Sequence, residues 1–464
     1  MVSRRCSRTP QSDANIARGI QSRDKWCVNA QGRGFSTAAE PVATSIKGSP
    51  LLRHEQPLAA IHYRILALCF AAWIFDFYDL ILYSFLLVPI ARDLHLTTTD
   101  SSLLLGTSFL MTAFGGVMFG FLGDRFGRKP IVVATVTIYG LGTLMCATSH
   151  SLIDLMVYRS FTGLGIGGGW ASGQALIAES MPAERRGRYA GYVQTGAPLG
   201  VLLAAAASGY LEPHLGWRWV FAISSLPAVV IALAEWRFLP ESDVWQRTGR
   251  RAFFGADEWA TIRQHRHVIL LLGIWLLLNS EAYWFTYSWM PGYLQMQRGL
   301  STADSGRLMI HMQYGGVFGY AIFGMLADRF GRRPMFTLFA LALAIGLVPA
   351  TLMWPQASRI PGLIIIAMML TGFGTGLWAG AAPYMSELLP TRVRNAAMGA
   401  LLNMTRGFQF FTPLVITELG RHVGLGAALS VGAIFSLSAA AMIWMLPETR
   451  GRSIQELDTL ILTV

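Results

Sequence analysis

The sequence has few charged residues and few cysteines, and each shortage limits what the protein is. Only 14% of its 464 residues are charged, whereas 53% are hydrophobic. A soluble globular domain carries about a quarter charged residues, so this composition excludes an ordinary cytosolic enzyme. The four cysteines, Cys6, Cys27, Cys69 and Cys146, form no C-x-x-C pair. We therefore predict neither a disulfide nor a metal site.

Basic residues outnumber acidic ones by 37 to 26, but this excess does not indicate nucleic-acid binding. Lys and Arg lie mostly in short connectors between apolar runs, where cytoplasmic loops of membrane proteins collect them. Apolar runs of about 20 residues, long enough to cross a bilayer, recur along nearly the whole chain after residue 60. The lipid bilayer, and not a nucleic acid, is the predicted surrounding.

The apolar runs predict twelve membrane-spanning helices, because a backbone in lipid must satisfy its hydrogen bonds within the segment. Placing the N-terminus inside assigns 18 Lys and Arg to the cytoplasmic connectors and the C-terminal end, against six in the outer connectors. Both termini are then predicted to be cytoplasmic. The segments lie near 62–90, 102–123, 131–149, 152–180, 189–211, 217–239, 267–295, 306–327, 335–354, 361–388, 396–419 and 424–446.

The segments divide the chain into two groups of six. Residues 1–60 contain nine basic and four acidic residues and no spanning run, which predicts a disordered cytoplasmic tail. A targeting segment, or sequence upstream of the true start, remains an alternative. The predicted domains are this tail, a six-helix bundle at 61–239, a cytoplasmic linker at 240–266, a second six-helix bundle at 267–446 and a cytoplasmic tail at 447–464.

Three short motifs occur twice in the same order, which indicates an internal repeat. The run GFLGDRFGRKP from Gly120 returns as GMLADRFGRRP from Gly324, 204 residues later. ESMP from Glu179 returns as ELLP from Glu387, and PES from Pro240 returns as PET, at offsets of 208 and 207. We predict an all-α polytopic membrane protein built from two pseudo-symmetric six-helix bundles.

The doubled motif resembles that of the major facilitator superfamily, over roughly residues 60 to 457. Within that superfamily, other elements look most like bacterial proton symporters for carboxylates, in the metabolite and the lactate or sialate groups. These elements are DFYD at 76–79, GLGIGGGW at 163–170, and NMTR at 403–406. Those groups usually carry an acidic residue before the tryptophan of helix 4, where this chain has Gly169. The closing PETRGR also resembles sugar porters, although their Gln-Leu-Ser element in helix 7 is missing.

By this resemblance, the doubled motif forms an ionic latch that holds the two halves together on the cytoplasmic side in the outward-open state. The arginines are alternatively markers of topology, and the two glutamates are alternatively partners in simple helix-terminal salt bridges. The predicted gate residues are Asp124, Arg125, Arg128, Glu179, Asp328, Arg329, Arg332 and Glu387.

Carboxylates deep within predicted helices are candidates for proton coupling, because ionisable groups in lipid are costly and usually functional. Asp76 lies 14 residues into helix 1, or about 21 Å, and Asp79 follows one turn later. Glu281 lies 14 residues into helix 7. The resemblance adds Arg159, at the position of the helix 4 arginine that is implicated in proton handling. Asp76 and Asp79 alternatively bond to neighbouring backbone, and Arg159 alternatively extends to the outer surface.

Arg406, ten residues into helix 11, is the first candidate for substrate binding, because a guanidinium binds a carboxylate through two hydrogen bonds. A structural ion pair with Asp76, Asp79 or Glu281 is its alternative role. Further polar residues within the helices are candidates to line a central cavity: Asn403, Gln174, Gln194, Tyr283 and Gln409.

Together these features predict a secondary transporter that moves a small organic anion with protons by alternating access around a midplane site. The alternative is a sugar or polyol porter. No helix pairs a nucleophile with a base, so we predict no enzymatic activity, cofactor or metal. We further predict location in a bacterial inner membrane and function as a monomer. The sequence leaves open the substrate, the proton stoichiometry, and the choice between symport, uniport and antiport.

Overall fold

The computed structural model describes residues 59–181, 186–248, 256–390 and 393–451, and within these ranges the chain forms helices and turns without a β-strand. The predicted N-terminal tail and most of the C-terminal tail lie outside the described residues. The α-helices are α1 (Ala60–Asp93), α2 (Thr98–Phe126), α3 (Arg128–Cys146), α4 (Leu152–Ser180), α5 (Arg186–Gln194), α6 (Gly196–Phe238), α7 (Asp243–Thr248), α8 (Ala256–Gln264), α9 (Arg266–Tyr287), α10 (Met290–Met296), α11 (Thr302–Phe330), α12 (Arg332–Ala350), α13 (Trp354–Ala357), α14 (Leu363–Gly374), α15 (Trp378–Leu388), α16 (Arg394–Phe408), α17 (Phe411–Val423) and α18 (Leu425–Met442).

The all-helical prediction is confirmed, and eight of the described helical stretches are long and apolar enough to cross a membrane. One of them, Gly191–Phe238, contains two of the predicted segments, which meet at Gly216 with a φ of 76°. The glycine-rich α4 and the more polar α11 are not among these eight stretches. Neither are α16 and α17, which are separated by a break at 409–410. The count of twelve spans stays a prediction.

The connectors differ in detail from the predicted ones. The segment expected as a plain linker at 240–266 contains the short helices α7 and α8. The predicted segment 267–295 is divided into α9 and α10 by a turn before Pro291, and 361–388 is interrupted by a 3₁₀ turn at Thr375–Leu377. A proline lacks the backbone N–H that a helix interior needs, which accounts for the first break.

Close helix contacts in each half depend on glycine. A Cβ on Gly163 or Gly167 of α4 would overlap the carbonyl oxygen of Ser108 or Thr112 in α2. The corresponding pair in the second half is α11 with α14, where a Cβ on Gly315 would overlap the carbonyl oxygen of Met369. Small residues allow such approaches in lipid, where no hydrophobic effect draws helices together.

Helices of the two halves also contact each other, through α2 with α16 and α17, α6 with α11, α1 with α10, and α5 with α15. On the predicted outer side, the contacts include hydrogen bonds. Trp289 donates to the Ser102 hydroxyl over 3.1 Å, and Ser102 donates to the carbonyl oxygen of Pro413 over 2.9 Å. Gln295 donates to the carbonyl oxygen of Phe85 over 3.4 Å. The structure therefore joins the halves firmly on that side.

Candidate functional site

A cavity in the first half has Asp76 in its wall. The Asp76 side chain is 2% exposed, and its Oδ1 has no hydrogen-bond partner among the described residues. The predicted residue Gln174 also lines the cavity. The complete lining is Cys69, Ala72, Trp73, Asp76, Val132, Val136, Gly169, Trp170, Gly173, Gln174, Ile177 and Val193.

Arg406 of α16 approaches this cavity from the second half. Its guanidinium lies 5.2 Å from the ring centre of Trp170, and one terminal nitrogen is buried without a hydrogen-bond partner in the described chain. The guanidinium also interacts electrostatically with the Asp76 carboxylate. The structure thus brings together the sequence candidates for substrate and for proton binding, on the two sides of the interface between halves.

Gly169 lies next to the Asp76 carboxylate. A Cβ at this position would be 3.3 Å from Asp76 Oδ2. An acidic side chain at this position would therefore place a second carboxylate against Asp76. With glycine here, Asp76 is the only acidic residue that lines the cavity in the described part of the chain.

Asp79 has a different environment from Asp76, although they lie one turn apart on α1. Arg159 forms a salt bridge to Asp79 Oδ2 over 3.1 Å, and Thr143 donates to Oδ1 over 2.6 Å. Arg159, which is 1% exposed, also lies 5.6 Å from the ring centre of Tyr83. Its side chain points inward rather than to the outer surface. Asp79 is therefore fixed in an ion pair, whereas one Asp76 oxygen has no partner within the part of the chain that the structure describes.

The other predicted cavity residues occupy separate places. Glu281 accepts a hydrogen bond from Thr412 over 2.6 Å rather than from Arg406. Gln409 donates to the Ser280 hydroxyl. Tyr283 stacks on the ring of Tyr287 at 4.2 Å.

Two predicted residues have unpartnered polar atoms. Asn403 lies against Gly116 of α2, so that a Cβ on this glycine would overlap the amide. The side-chain oxygens of Asn403 and Gln194 are buried and have no hydrogen-bond partner among the described residues.

The predicted gate residues form two equivalent networks, one in each half. Arg128 bridges Asp124 over 2.6 Å and Glu179 over 2.9 Å. Arg332 does the same with Asp328 over 2.7 Å and Glu387 over 3.0 Å. Arg125 and Arg329 lie over Phe126 and Phe330, at 5.5 and 5.4 Å. Each of these four ion pairs lies within its own half, so the latch across the halves stays a prediction.

Two glutamates at the ends of the halves complete these networks, a role that sequence reasoning missed. Glu241 accepts from the backbone N–H groups of Arg128 and Lys129 at the start of α3. Glu448 accepts from those of Arg332 and Arg333 at the start of α12, over 2.9 Å each. The repeated Pro-Glu dipeptide was the signal, because a carboxylate is favourable at a helix N-terminus.

The pKa of Glu448 reflects this role. Burial by itself would raise the pKa of the carboxyl, but backbone N–H donors, those of Arg332 and Arg333 foremost, hold it below the ordinary value for glutamate. Hydrogen bonds to the charged form have this effect.

Comparisons with known proteins agree with this architecture. A model of the Major Facilitator Superfamily matches residues 68–322, and a model for "Sugar (and other) transporter" matches residues 257–461. A putative metabolite transport protein of Haemophilus influenzae is 31% identical over 391 residues, which cover 82% of this chain and 94% of that protein. A cis,cis-muconate transport protein of Acinetobacter baylyi is 28% identical over 376 residues, covering 79% of this chain and 90% of that protein.

The fold also matches a solved structure, a D-xylose-proton symporter, with a TM-score of 0.69 at 20% identity over 84% of this chain and 99% of that chain. At that identity the likeness establishes the fold and not the substrate. With the family match covering more than half of the chain, the protein belongs to the major facilitator superfamily of multi-pass membrane transporters for small molecules and is not an enzyme.

Proposed function

We propose that the protein moves a small organic anion together with a proton, with Arg406 as the anion-binding residue and Asp76 as the proton-binding residue. The observation that carries this proposal is the pairing of two incompletely bonded ionisable groups at one cavity. Arg406 has a buried nitrogen, and Asp76 a buried oxygen, without a hydrogen-bond partner among the described residues. Buried polar atoms normally have partners, and exceptions concentrate at functional sites.

A carboxylate fits Arg406, because the planar guanidinium donates two parallel hydrogen bonds to the two oxygens. The Trp170 ring beneath the guanidinium offers a flat apolar surface for the carbon skeleton of the substrate. The relative from Acinetobacter baylyi is named for transport of cis,cis-muconate, a flat unsaturated dicarboxylate. We infer that the substrate is an unsaturated or aromatic carboxylate.

Substrate and proton are coupled through the charge of Arg406. Without substrate, the guanidinium compensates the Asp76 carboxylate through space. A substrate carboxylate at Arg406 takes over that positive charge and leaves Asp76 as an uncompensated buried anion, which is costly. Proton binding to Asp76 removes this cost. Binding of the anion therefore favours binding of the proton, and the reverse holds by linkage.

Asp79 and Arg159 serve as a fixed charge pair beside this site, and Glu281 serves the proton or substrate pathway of the second half. The gate residues of the doubled motif, in the proposed cycle, hold the cytoplasmic side closed when the outer side opens. We place the protein in a bacterial inner membrane, since the similar transporters come from bacteria, and we expect it to function as a monomer. Both termini are placed in the cytoplasm because basic residues concentrate in the connectors on that side.

The test uses purified protein in lightly buffered proteoliposomes with a pH dye inside. The substrate panel contains cis,cis-muconate, nicotinate, benzoate, lactate, pyruvate and sialate, with xylose and myo-inositol as neutral compounds. Protein-free liposomes control for weak acids that cross the bilayer unaided. We expect protein-dependent acidification with one class of carboxylate and no response to the neutral compounds.

Variants assign the roles. Arg406→Gln should abolish anion uptake, whereas Arg421→Gln, an exposed arginine paired with Glu418, is the matched control and should retain it. Asp76→Asn should remove the pH dependence of transport. Unaltered pH dependence in Asp76→Asn and Asp79→Asn, singly and together, refutes the coupling.

The second candidate function is sugar or polyol transport, which the match of residues 257–461 to the sugar transporter model favours. A sugar needs no cation in the site, so a sugar porter would tolerate Arg406→Gln. Uptake of xylose or myo-inositol without acidification would replace the carboxylate proposal with this one.

A further inference from the structure

A second buried carboxylate lies near the cavity and has no role in the cycle described above. Glu235 of α6 is 0% exposed, and neither of its carboxylate oxygens has a hydrogen-bond partner among the described residues. It lies one turn before the end of α6, where its own carbonyl oxygen accepts from the N–H of Leu239 over 2.9 Å. Asp76, in contrast, lies 16 residues into α1, or about 24 Å along the helix.

The orientation of Glu235 follows from the packing of α6. Ala228, two turns earlier on the same helix face, packs against α3, since a Cβ on Gly140 would be 2.8 Å from its methyl group. Leu239, one turn after Glu235, is 1% exposed, whereas Leu233, on the opposite face of the helix, is 59% exposed. Glu235 therefore points into the protein, toward the interface of α6 with α1 and α3, and not toward lipid.

This interface borders the cavity that holds Asp76. Arg218 of α6 donates to the carbonyl oxygen of Ser149, just after α3, while Ala228 contacts Gly140, so the two helices run antiparallel. Moving two turns along α6 from Ala228 to Glu235 therefore corresponds to moving two turns along α3 from Gly140 toward Val132. Val132 and Cys69 line the cavity and also pack in the same apolar cluster as Leu239. Glu235 thus lies near the wall of the cavity that Val132 and Cys69 form.

A tyrosine hydroxyl lies among the carboxylates of this region. Tyr139 of α3 is 2% exposed, and its hydroxyl has no hydrogen-bond partner in the described chain. The carboxylates of Asp76, Glu235 and Asp79 are all near enough to act on it electrostatically. Glu235 also acts directly on Asp76 and on Cys69. In the described part of the chain, the titratable groups near Glu235 on the helices packed against it are therefore Asp76 and Cys69 of α1 and Tyr139 of α3.

From this arrangement we propose that Glu235 is the proton-release residue on the cytoplasmic side, and that it receives the proton of Asp76 by way of the Tyr139 hydroxyl. The O–H bond of protonated Asp76 breaks and an O–H bond forms on the Glu235 carboxylate, so that the charge of the bundle is unchanged. The charge of Arg406 compensates the resulting Asp76 carboxylate once the substrate has left. Glu235 then loses the proton to water at the end of α6. This inference rests on the proposed proton coupling at Asp76.

The surroundings of Glu235 and its place near the cytoplasmic end of α6 both suit this role. An uncompensated carboxylate in an apolar interface is costly, and a proton removes that cost. Asp79 has Arg159 and Thr143 as partners and needs no proton. Glu235 has no such partner among the described residues, and it lies closer than Asp76 to the predicted cytoplasmic surface. It is therefore suited to hold a proton on the path out of the cavity.

The test combines a direct and a functional measurement on the full-length protein. Infrared difference spectra between acid and alkaline pH report protonated carboxyl groups in purified protein, with no substrate present. We expect a carboxyl band that is absent in Glu235→Gln, shifted in Glu235→Asp and unchanged in Glu418→Gln, which alters an exposed acid. Identical bands in wild-type protein and Glu235→Gln would overturn the proposal, since Glu235 would then exchange no proton.

The functional measurement uses cis,cis-muconate in proteoliposomes. Glu235→Gln and Tyr139→Phe should keep exchange of external for internal muconate, because exchange needs no net proton release, and should lose accumulation driven by a pH gradient. Glu235→Asp should restore part of the accumulation. Full accumulation in Glu235→Gln would overturn the inference while leaving the role of Asp76 intact. Failure of the proposed carboxylate–proton symport itself gives a different result, because wild-type protein would then show no proton movement with any carboxylate.

Discussion

The buried pair of Asp79 and Arg159 allows a quantitative test of the difference between the two aspartates of α1. The perturbations are Arg159→Met, Asp79→Asn and the double variant. Arg159 is 1% exposed and donates to Asp79 over 3.1 Å, and it also donates to the Asp79 carbonyl oxygen over 3.4 Å. Methionine retains most of the volume of the arginine side chain but none of its charge.

The expected magnitudes follow from the partners that remain. In Arg159→Met, the Asp79 carboxylate keeps only the 2.6 Å hydrogen bond from Thr143, and removing one partner of a buried pair costs about 3–5 kcal/mol. Asp79→Asn leaves the guanidinium uncompensated and should cost a similar amount. The double variant contains no buried charge at this position. It should be less destabilised than the sum of the single variants, by a coupling energy of about 0.5–3 kcal/mol.

The assay is denaturant unfolding of the purified protein in detergent, followed by tryptophan fluorescence. Arg307 and Asp304 provide the matched control, because their salt bridge is also 3.1 Å long but the side chains are 63% and 51% exposed. The equivalent Arg307→Met, Asp304→Asn and double variants should change stability by only about 0–1 kcal/mol. Additive effects of Arg159→Met and Asp79→Asn would refute the reasoning, since the two side chains would then contribute independently.

Three further predictions concern other parts of the molecule. Glu448→Gln should remove a contribution to stability that is complete above the ordinary glutamate pKa of about 4.3 and is lost as the pH falls through the lowered pKa. Unfolding midpoints of variant and wild type, measured from neutral to acid pH, should therefore converge at acid pH. Parallel curves would contradict the pKa shift. Gly167→Ala should lower the thermal stability of the purified protein because its Cβ overlaps an α2 carbonyl oxygen, whereas Gly120→Ala, with nothing within 4 Å of its Cβ, should not. Trp289→Phe should remove the donor to Ser102 and favour opening on the predicted outer side, measured as longer spin-label distances across that side; unchanged distances would show that this hydrogen bond does not hold the side closed.

The repeat was predictable from sequence because its contacts are local to each motif. The arginine of each GR dipeptide, Arg128 or Arg332, meets an aspartate four residues earlier on one continuous stretch of chain. The glycine between helices has a φ of 108° at Gly127 and 104° at Gly331, a conformation that favours glycine. The same residues at the same spacing therefore produce the same turn twice.

The composition of the site was only partly predictable, because its contacts join residues distant in the chain. The positions of Asp76, Asp79 and Arg406 within their predicted helices identified them as buried charges. It did not show that Arg159 pairs with Asp79, 80 residues away, or that Arg406 lies over Trp170 of the other half. These contacts depend on how the helices pack, and a helix pattern fixes only which residues share a face.

Glu235 was missed for a related physical reason. It lies four residues from the end of an apolar segment, where an acidic residue normally extends to the membrane surface. Its burial depends on the helix face that it shares with Ala228 and Leu239, both of which are buried. The sequence did not show which face of this segment is buried, because both faces are apolar in a membrane helix. One face contains Ala228, Ile231 and Leu239, and the other contains Val230, Leu233 and Trp236.

The proposed competition between substrate and Asp76 for Arg406 has a consequence for energetics. One proton for each carboxylate leaves the charge of the occupied site the same as that of the empty site, so transport of a monoanion is electroneutral. Its accumulation should then follow the pH gradient, tenfold or about 1.36 kcal/mol for each pH unit, and should not respond to membrane potential. A dicarboxylate with one proton carries a net negative charge inward, against about 2.3 kcal/mol for each 100 mV of inside-negative potential. Entry of a dianion without net charge movement therefore requires a second proton. Glu281, which accepts a hydrogen bond from Thr412, is the acid suited to carry it, because Glu235 must be free to receive the proton of Asp76.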